Sequence, residues 1–155
     1  MSEKKSRKII MALSVGSLLF SLLIPGLFTN SFAQTQRASD EQLIARAING
    51  EARGEPYEGQ VAVGAVILNR VESPDFPNTV AGVIYQPGAF TAVSDGQINV
   101  PIDPNSTVVK AARDALNGWD PTGGCLYYWN PATATSKWIW SRQIIKTIGK
   151  HNFGK

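Results

Sequence analysis

The chain has 155 residues, of which 43% are hydrophobic, and a formal net charge of +3. This length supports one domain with a hydrophobic core and is too short for two. Residues 1–33 hold four basic groups and one acid, whereas residues 34–155 hold eleven of each. The surplus positive charge therefore belongs to the N-terminus, and the neutral remainder argues against a nucleic-acid-binding protein.

The N-terminal residues have the layout of an export signal. A basic patch at residues 4–8 precedes an apolar run that extends to about Phe28, and Ser31 and Ala33 place small residues at the −3 and −1 positions of a cleavage site. We therefore predict a secretory signal peptide at residues 1–33. The alternative is an uncleaved membrane anchor, because the apolar run approaches the ~20 residues that a span needs. Either way, the functional part is expected outside the cytoplasm, touching the membrane only through an uncleaved segment.

A first helix is predicted from Asp40 to Ala52, after a short polar linker at residues 34–38. Ser39 is a favourable N-cap, and Gln42 can complete a capping box with it. Four residues of this helix share one face at i, i+3, i+4 and i+7: Ile44, Ala47, Ile48 and Glu51. The face is apolar except for its last member.

The later elements follow from hydrophobic spacing and from Gly and Pro positions. A second helix, from about Glu58 to Val71, is rich in apolar and small residues and is expected to be buried on most sides. We further predict a short helix at 79–85, a loop at 86–103, a helix at 105–117 and a strand at 125–129, whereas 143–148 fits a strand or a helix. The loop is long for a compact domain, so a function or tight local packing is expected there.

Cysteine and histidine each occur once, as Cys125 and His151. An internal disulfide is therefore impossible, and we expect Cys125 to be buried as a small apolar residue. A catalytic zinc site is disfavoured because few of its usual ligands are present, and no metal or other cofactor is expected. For His151, near the C-terminus, we predict a surface or capping role.

Glu51 is the first chemical candidate. It continues an apolar helix face and lies in the last turn, where partial burial and the negative end of the helix dipole both favour a protonated carboxyl group. A general acid needs that property near neutral pH. The alternative is a structural ion pair with Arg53 at the helix end, which is the more common situation for this spacing.

The second candidate is the aromatic segment "YYWNPATATSKWIW" at residues 127–140. It contains three of the four tryptophans, interleaved with Asn, Thr, Ser and Lys. Aromatic rings cover the apolar faces of sugars while polar groups bond their edges, although about half of these rings are expected in the core. A catalytic acid beside such a groove indicates a glycosidase that acts on an extracellular polysaccharide.

Several long motifs resemble one known family. They are "ARAINGEARGEPYEGQVAVGAVILNRV", "FPNTVAGVIYQPGAFTAVSDGQI", "ALNGWDPTGG", "YYWNPATATSKWIWSR" and "IGKHNF". Together they resemble the SleB-type spore cortex-lytic enzymes, a family of bacterial cell wall hydrolases, from Ser39 to Phe153. The resemblance implies a lysozyme-like α+β fold, mainly helical with a small antiparallel sheet, as a catalytic domain at residues 39–155. It also implies cleavage of peptidoglycan glycan strands and places the catalytic glutamate at Glu51.

The resemblance implies a lytic transglycosylase with a single acid. A hydrolytic muramidase or glucosaminidase would need a second carboxylate, and Glu55, Glu58 and Asp95 are the candidates, each with a simpler structural explanation. A non-catalytic wall-binding protein is a third possibility, and a zinc amidase is disfavoured by the ligand count. The partner is peptidoglycan, of spore cortex or vegetative wall, and a monomer is expected.

Eight further residues are predicted to contact sugar, in two groups. The loop before residue 103 is expected to line the cleft opposite Glu51, and the aromatic segment to form the other wall. The candidates are Gln86, Phe90, Thr91 and Ser94 in the loop and Tyr128, Asn130, Trp138 and Ser141 on the other wall. We expect about half of them to touch substrate and the rest to support the fold. Asn69 is predicted to have a structural hydrogen bond instead.

Overall fold

The computed structural model of the protein describes the backbone of residues 25–155 and the side chains from residue 31 onward. Most of the predicted signal peptide lies outside the described residues, so the division into signal, linker and catalytic domain stays a prediction. Within the described range, no helix combines the length and the apolar character needed to cross a bilayer.

The helical part consists of α1 (Pro25–Ala52), α2 (Tyr57–Glu72), α3 (Val80–Ile84), α4 (Thr91–Ser94) and α5 (Thr107–Leu116). Three of these, α2, α3 and α5, agree with the predicted positions, and α1 agrees at its C-terminal end. Helix α4 lies in the predicted long loop together with a 3₁₀ turn at Gln97–Asn99. That loop is therefore locally packed, which is one of the two properties expected from its length.

The start of α1 was predicted wrongly. The helix begins at Pro25 rather than Asp40, so Ser39 lies inside it and is no N-cap, and the expected linker at residues 34–38 is helical. No Gly or Pro interrupts residues 27–49, and the hydrogen bond from Gln36 Nε2 to Asp40 Oδ1 adds an i,i+4 contact at 2.9 Å. Without a breaker, the helix extends through exposed polar residues.

Helix α2 is the centre of the domain, as its apolar sequence predicted. One side packs with α1, α3 and α5 in the main core, where Ile44, Ile48 and Val63 are fully buried. The opposite side packs on the sheet through Ala62 and Val66. Burial on both sides explains why apolar and small residues occupy nearly all of this helix.

The sheet has three antiparallel strands in the order β1 (Tyr127–Trp129), β3 (His151–Gly154) and β2 (Ile144–Ile148). Tyr128 pairs with Phe153. The ambiguous segment at 143–148 is thus a strand, but the central strand β3 was not predicted. Its four residues are all buried, and so short a run, with a Gly, lacks the alternation that marks a strand in a sequence.

Asp120 ties α2 to the turn before β1. Its Oδ1 accepts hydrogen bonds from the amide and hydroxyl of Thr122 at 2.7 and 2.6 Å, and its Oδ2 from the amide of Gly124 at 2.7 Å. Asn69 Nδ2 also donates to Oδ2, at 3.0 Å, which confirms the structural bond predicted for it. Burial alone would raise the pKa of Asp120, but these hydrogen bonds together lower it. Cys125, the next residue after this turn, is free and fully buried, as predicted.

Candidate active site

A cleft of about 910 Å³ opens between the C-terminal turn of α1, the loop before α4 and the first strand with the segment that follows it. The structure brings six of the nine predicted site residues to its surface: Glu51, Gln86, Thr91, Tyr128, Asn130 and Trp138. The loop and the aromatic segment thus form facing walls, the arrangement that the resemblance implied.

The other three predicted residues do not line this cleft. Phe90 is 2% exposed and belongs to the main core. Ser94 and Ser141 direct their hydroxyls to nearby backbone, at 2.9 Å to the carbonyl of Thr91 and 2.8 Å to that of Trp138. Core packing and local hydrogen bonds were the structural alternatives for these residue types.

Glu51 lies partly buried in the last turn of α1, at the cleft surface. Its Oε1 accepts a hydrogen bond of 2.8 Å from the backbone amide of Ala92. The structural alternative, an ion pair with Arg53, is not formed: Arg53 is exposed and donates to Gln97 Oε1 at 3.1 Å. The backbone amide of Ala92 therefore fixes one carboxylate oxygen of Glu51 at the cleft.

The hydrogen bond to Ala92 depends on the glycine before Glu51. A Cβ on Gly50 would lie 2.5 Å from the Cβ of Ala92 and 3.3 Å from its Cα. Glycine is required for this close approach of α4 to α1. Gly50 thus leaves the space in which α4 reaches the carboxylate of Glu51.

Tyr128 stands on the other wall and contacts both hydrophobic clusters. Its ring lies 5.4 Å from that of His151 and 6.4 Å from that of Phe90. Burial, followed by the negative charge of Glu51, raises the pKa of Tyr128 well above its ordinary value, against an opposing effect of Arg70. The phenol therefore keeps its proton and can act as a hydrogen-bond donor in the cleft.

Glu51 is the one carboxylate on the cleft surface in the part of the chain that the structure describes. Glu55 accepts from the amide of Lys150 at 2.8 Å, and Glu58 pairs with Lys146 at 2.9 Å. Asp95 accepts from the amide of Gln97 at 3.0 Å. These three candidates for a second acid are engaged elsewhere. Across residues 25–155, no three His, Cys, Asp or Glu side chains are grouped to hold a metal ion.

The sequence profile of the Cell Wall Hydrolase family matches residues 54–154. The chain belongs to this family. The matched segment contains most of the cleft residues and begins three residues after Glu51, which lies in the adjoining turn of α1.

Similar proteins include the spore cortex-lytic enzyme of Bacillus cereus, which is 68% identical over 117 residues; the match covers 76% of this chain and 44% of that protein. The spore cortex-lytic enzyme of Bacillus subtilis is 60% identical over 130 residues, covering 84% of this chain and 39% of that protein. The chain thus spans less than half the length of these two relatives.

The solved catalytic domain of the germination-specific lytic transglycosylase SleB from Bacillus anthracis is 67% identical, with a TM-score of 0.70, and the match covers 75% of this chain and 93% of that one. This similarity confirms a SleB-type catalytic domain and the predicted lysozyme-like α+β fold.

The predicted surface or capping role of His151 is wrong. It is 7% exposed, lies on the central strand and lines the cleft. Its Nδ1 is buried without a hydrogen-bond partner among the described residues. Burial lowers the pKa of His151, against the opposing charges of Glu55 and Glu51, so the imidazole is neutral at neutral pH. The motif "IGKHNF" contained this residue, but its strand had no recognisable pattern.

Arg70 is a second cleft residue that the sequence did not indicate. A basic residue in the last turn of a helix ordinarily satisfies the helix dipole at the surface. Here the C-terminal end of α2 is covered by the aromatic wall, and Arg70 is 8% exposed. The position of Arg70 in the cleft therefore depends on the packing of residues 127–140 on α2, which the sequence does not show.

Proposed function

We propose that this cell wall hydrolase cleaves the glycan strands of peptidoglycan as a lytic transglycosylase, with Glu51 as general acid and then general base. The observation that carries the proposal is the single carboxylate on the cleft surface among the described residues. A hydrolase of the usual kind needs two carboxyl groups across the scissile bond, about 5 Å apart when it retains configuration and further when it inverts. A transglycosylase needs one.

In the first step, Glu51 donates its proton to the glycosidic oxygen while the bond from that oxygen to C1 of the muramic residue breaks. The leaving sugar departs with a hydroxyl group, and positive charge develops at C1 beside the new Glu51 carboxylate. The amide of Ala92 holds one oxygen of that carboxylate at 2.8 Å, which stabilises its negative charge.

In the second step, the C6 hydroxyl of the same muramic residue attacks C1 and gives its proton to Glu51. A 1,6-anhydro sugar forms, the acid is regenerated, and no water is consumed. The attacking and accepting groups belong to one sugar, so the enzyme has only to hold that ring in a suitable conformation.

The cleft walls supply the groups that would hold the strand. Trp138 is half exposed and stacks on the guanidinium of Arg142 at 4.3 Å and edge-on to Tyr127 at 5.1 Å. That packing holds an indole face ready for a sugar ring. Gln86, Thr91 and Asn130 add hydrogen-bonding groups to the cleft, as a saccharide site needs.

Spore cortex is the proposed substrate, because the two relatives above are named as spore cortex-lytic enzymes. We propose that the protein is exported through its N-terminal segment, since both cortex and vegetative wall lie outside the cytoplasm. A hydrolytic enzyme and a non-catalytic wall-binding protein are the alternatives that the experiment below separates.

The test is mass spectrometry of the fragments that the purified protein releases from spore cortex and from vegetative wall. Anhydro-muramic ends, lighter by one water than reducing ends, are expected, with more release from cortex. Reducing ends would overturn the transglycosylase assignment in favour of hydrolysis. Binding without any release from either wall would indicate a wall-binding protein.

A further inference from the structure

Arg70 is a buried cation whose free donors face the cleft. It is 8% exposed and yet lines the cleft. Its Nε donates to the backbone carbonyl of Leu126 at 2.7 Å, which anchors the guanidinium to the end of β1. The two Nη groups make no hydrogen bond within the described residues, and neither is among the fully buried atoms without a partner. The two Nη groups are therefore directed toward the cleft.

Three aromatic rings surround this cation. The central carbon of the guanidinium lies 5.2 Å from the ring centre of Phe76, 5.5 Å from that of Phe90 and 5.7 Å from that of Tyr127. The rings exclude water and attract the positive charge, but none of the three residues accepts a hydrogen bond from the Nη groups. Burial lowers the pKa of Arg70, and the guanidinium nevertheless stays charged at physiological pH.

Arg70 has no carboxylate partner in the described part of the chain, where the ion pairs are Arg113 with Glu41 and Lys146 with Glu58. A buried charge without a partner is unfavourable unless something compensates it. Folding has already removed Arg70 from water, so its desolvation adds nothing to the free energy of binding an anion. An anion that enters the cleft therefore meets fixed, dehydrated donors. Such a site binds an anion more strongly than an exposed arginine does.

We propose that Arg70 binds a free carboxylate of the peptide stem of peptidoglycan, end-on through its two Nη groups. The inference rests on the proposed function for the identity of the polymer. The sugar rings of the strand offer neutral hydroxyl and acetamido groups, whereas the stems carry carboxylates. A planar carboxylate matches the paired donors that the Leu126 bond leaves open.

The contact would set the position of the strand relative to Glu51. Both residues line the same cleft, and the stem is attached to the muramic residue whose C1 reacts. Arg70 would therefore favour strands with free stem carboxylates over strands whose stems are amidated, which makes it a specificity-determining residue.

The test compares two forms of one substrate. Soluble glycan strands with intact stems, freed of phosphate polymers, are divided, and one half is treated with carbodiimide and excess ammonia to convert carboxylates to neutral amides. Dissociation constants for both halves are measured with the Glu51→Gln protein, which cannot cleave them, and with Glu51→Gln/Arg70→Gln. The Glu51→Gln protein is expected to bind native strands about 10- to 100-fold more tightly than amidated strands, the range for hydrogen bonds to charged groups. With Arg70→Gln, the difference should disappear.

The matched control is Arg113→Gln in the same background, because Arg113 is an exposed arginine on α5, away from the cleft. It should keep the full difference between native and amidated strands. Equal affinities in the Glu51→Gln protein, or an unchanged ratio after Arg70→Gln, would overturn the inference. If the double variant melts before the measurement temperature, Arg70→Lys replaces it, and a reduced ratio is expected because one point charge replaces paired donors.

The binding ratio does not depend on turnover. If the wild-type protein releases no fragments, the proposed function fails. The preference for free carboxylates is measured separately, so its presence or absence still tests the role of Arg70. The two failures are therefore distinguishable.

Discussion

The backbone amide of Ala92 and the carboxylate of Glu51 are joined by a hydrogen bond of 2.8 Å across 41 residues of sequence. Ala92 lies in the first turn of α4, where amides have no partner within their own helix. The bond therefore gives this amide a partner and also orients the carboxyl group of Glu51. This hydrogen bond forms only because Gly50 has no side chain. A substitution at Gly50 can therefore disturb the site without changing any polar group.

Gly50→Ala is expected to lower kcat/KM by about 10- to 100-fold, because displacement of a catalytic group by about 1 Å can cost that much. The new Cβ would lie 2.5 Å from that of Ala92, so α4 must move away from α1 and its amide leaves Glu51. The same overpacking should lower the free energy of unfolding by about 1–3 kcal/mol. Fragment release from soluble strands and denaturant unfolding measure the two effects.

Gly54→Ala is the control for that substitution. Gly54 follows the same helix end, and a Cβ there meets nothing within 4 Å. Activity and unfolding should stay close to wild type. Equal losses in the two variants would mean that the contact between Gly50 and Ala92 does not orient the acid.

Glu51→Gln is expected to reduce strand cleavage by about 100-fold or more, the contribution of a general acid-base group. The amide keeps the shape of the side chain and an acceptor for Ala92 but has no proton to give, so wall binding should persist. Fragment release and sedimentation with insoluble wall measure both properties. Glu58→Gln is the matched control, since Glu58 is exposed and paired with Lys146 outside the cleft. Loss of cleavage in the control alone would identify Glu58 as the acid instead.

Trp138→Ala is expected to raise KM by about 10-fold, equivalent to about 1.4 kcal/mol of binding free energy, as for a truncated aromatic contact. Trp140→Ala is a closely matched control, because the two indoles are 50% and 49% exposed but Trp138 alone of the pair lines the cleft. Steady-state cleavage of soluble strands gives both values. If both variants bind strands equally well, the aromatic wall is structural rather than a sugar platform.

The sequence predicted the structure well for elements that are determined by the periodic spacing of apolar residues. The α2 helix was expected at Glu58–Val71 and is found at Tyr57–Glu72. Its apolar and small residues recur at helical spacing on two sides, and both sides are buried in the structure. Glu51 was nominated by its helical face and is found at the cleft. Such features depend on neighbours within two turns, which a sequence displays directly.

Features that depend on distant contacts were missed. β3 is a strand because β1 and β2 pair with it on both sides, not because its four residues favour extended structure. Arg70 and His151 reach the cleft through the packing of that sheet on α2. No local pattern marks a charged residue that will be covered by a segment 56 positions away, as in the bond from Arg70 to Leu126. The start of α1 was missed for the opposite reason: a good local cap was present, but nothing before it stopped the helix.

His151 should make the stability of the fold sensitive to pH. Burial lowers its pKa in the folded protein, so between that value and the ordinary value of about 6.5 the unfolded chain binds more protons than the folded one. The free energy of unfolding should therefore fall as the pH drops from 7 to 5. In His151→Gln, which binds no proton, the fall should be smaller, whatever the absolute stability of the variant. His151 is the sole histidine in the sequence, so no second imidazole titrates in this window. Denaturant unfolding at pH 7 and pH 5 gives the two differences, and equal differences would show that the buried imidazole takes up its proton without cost.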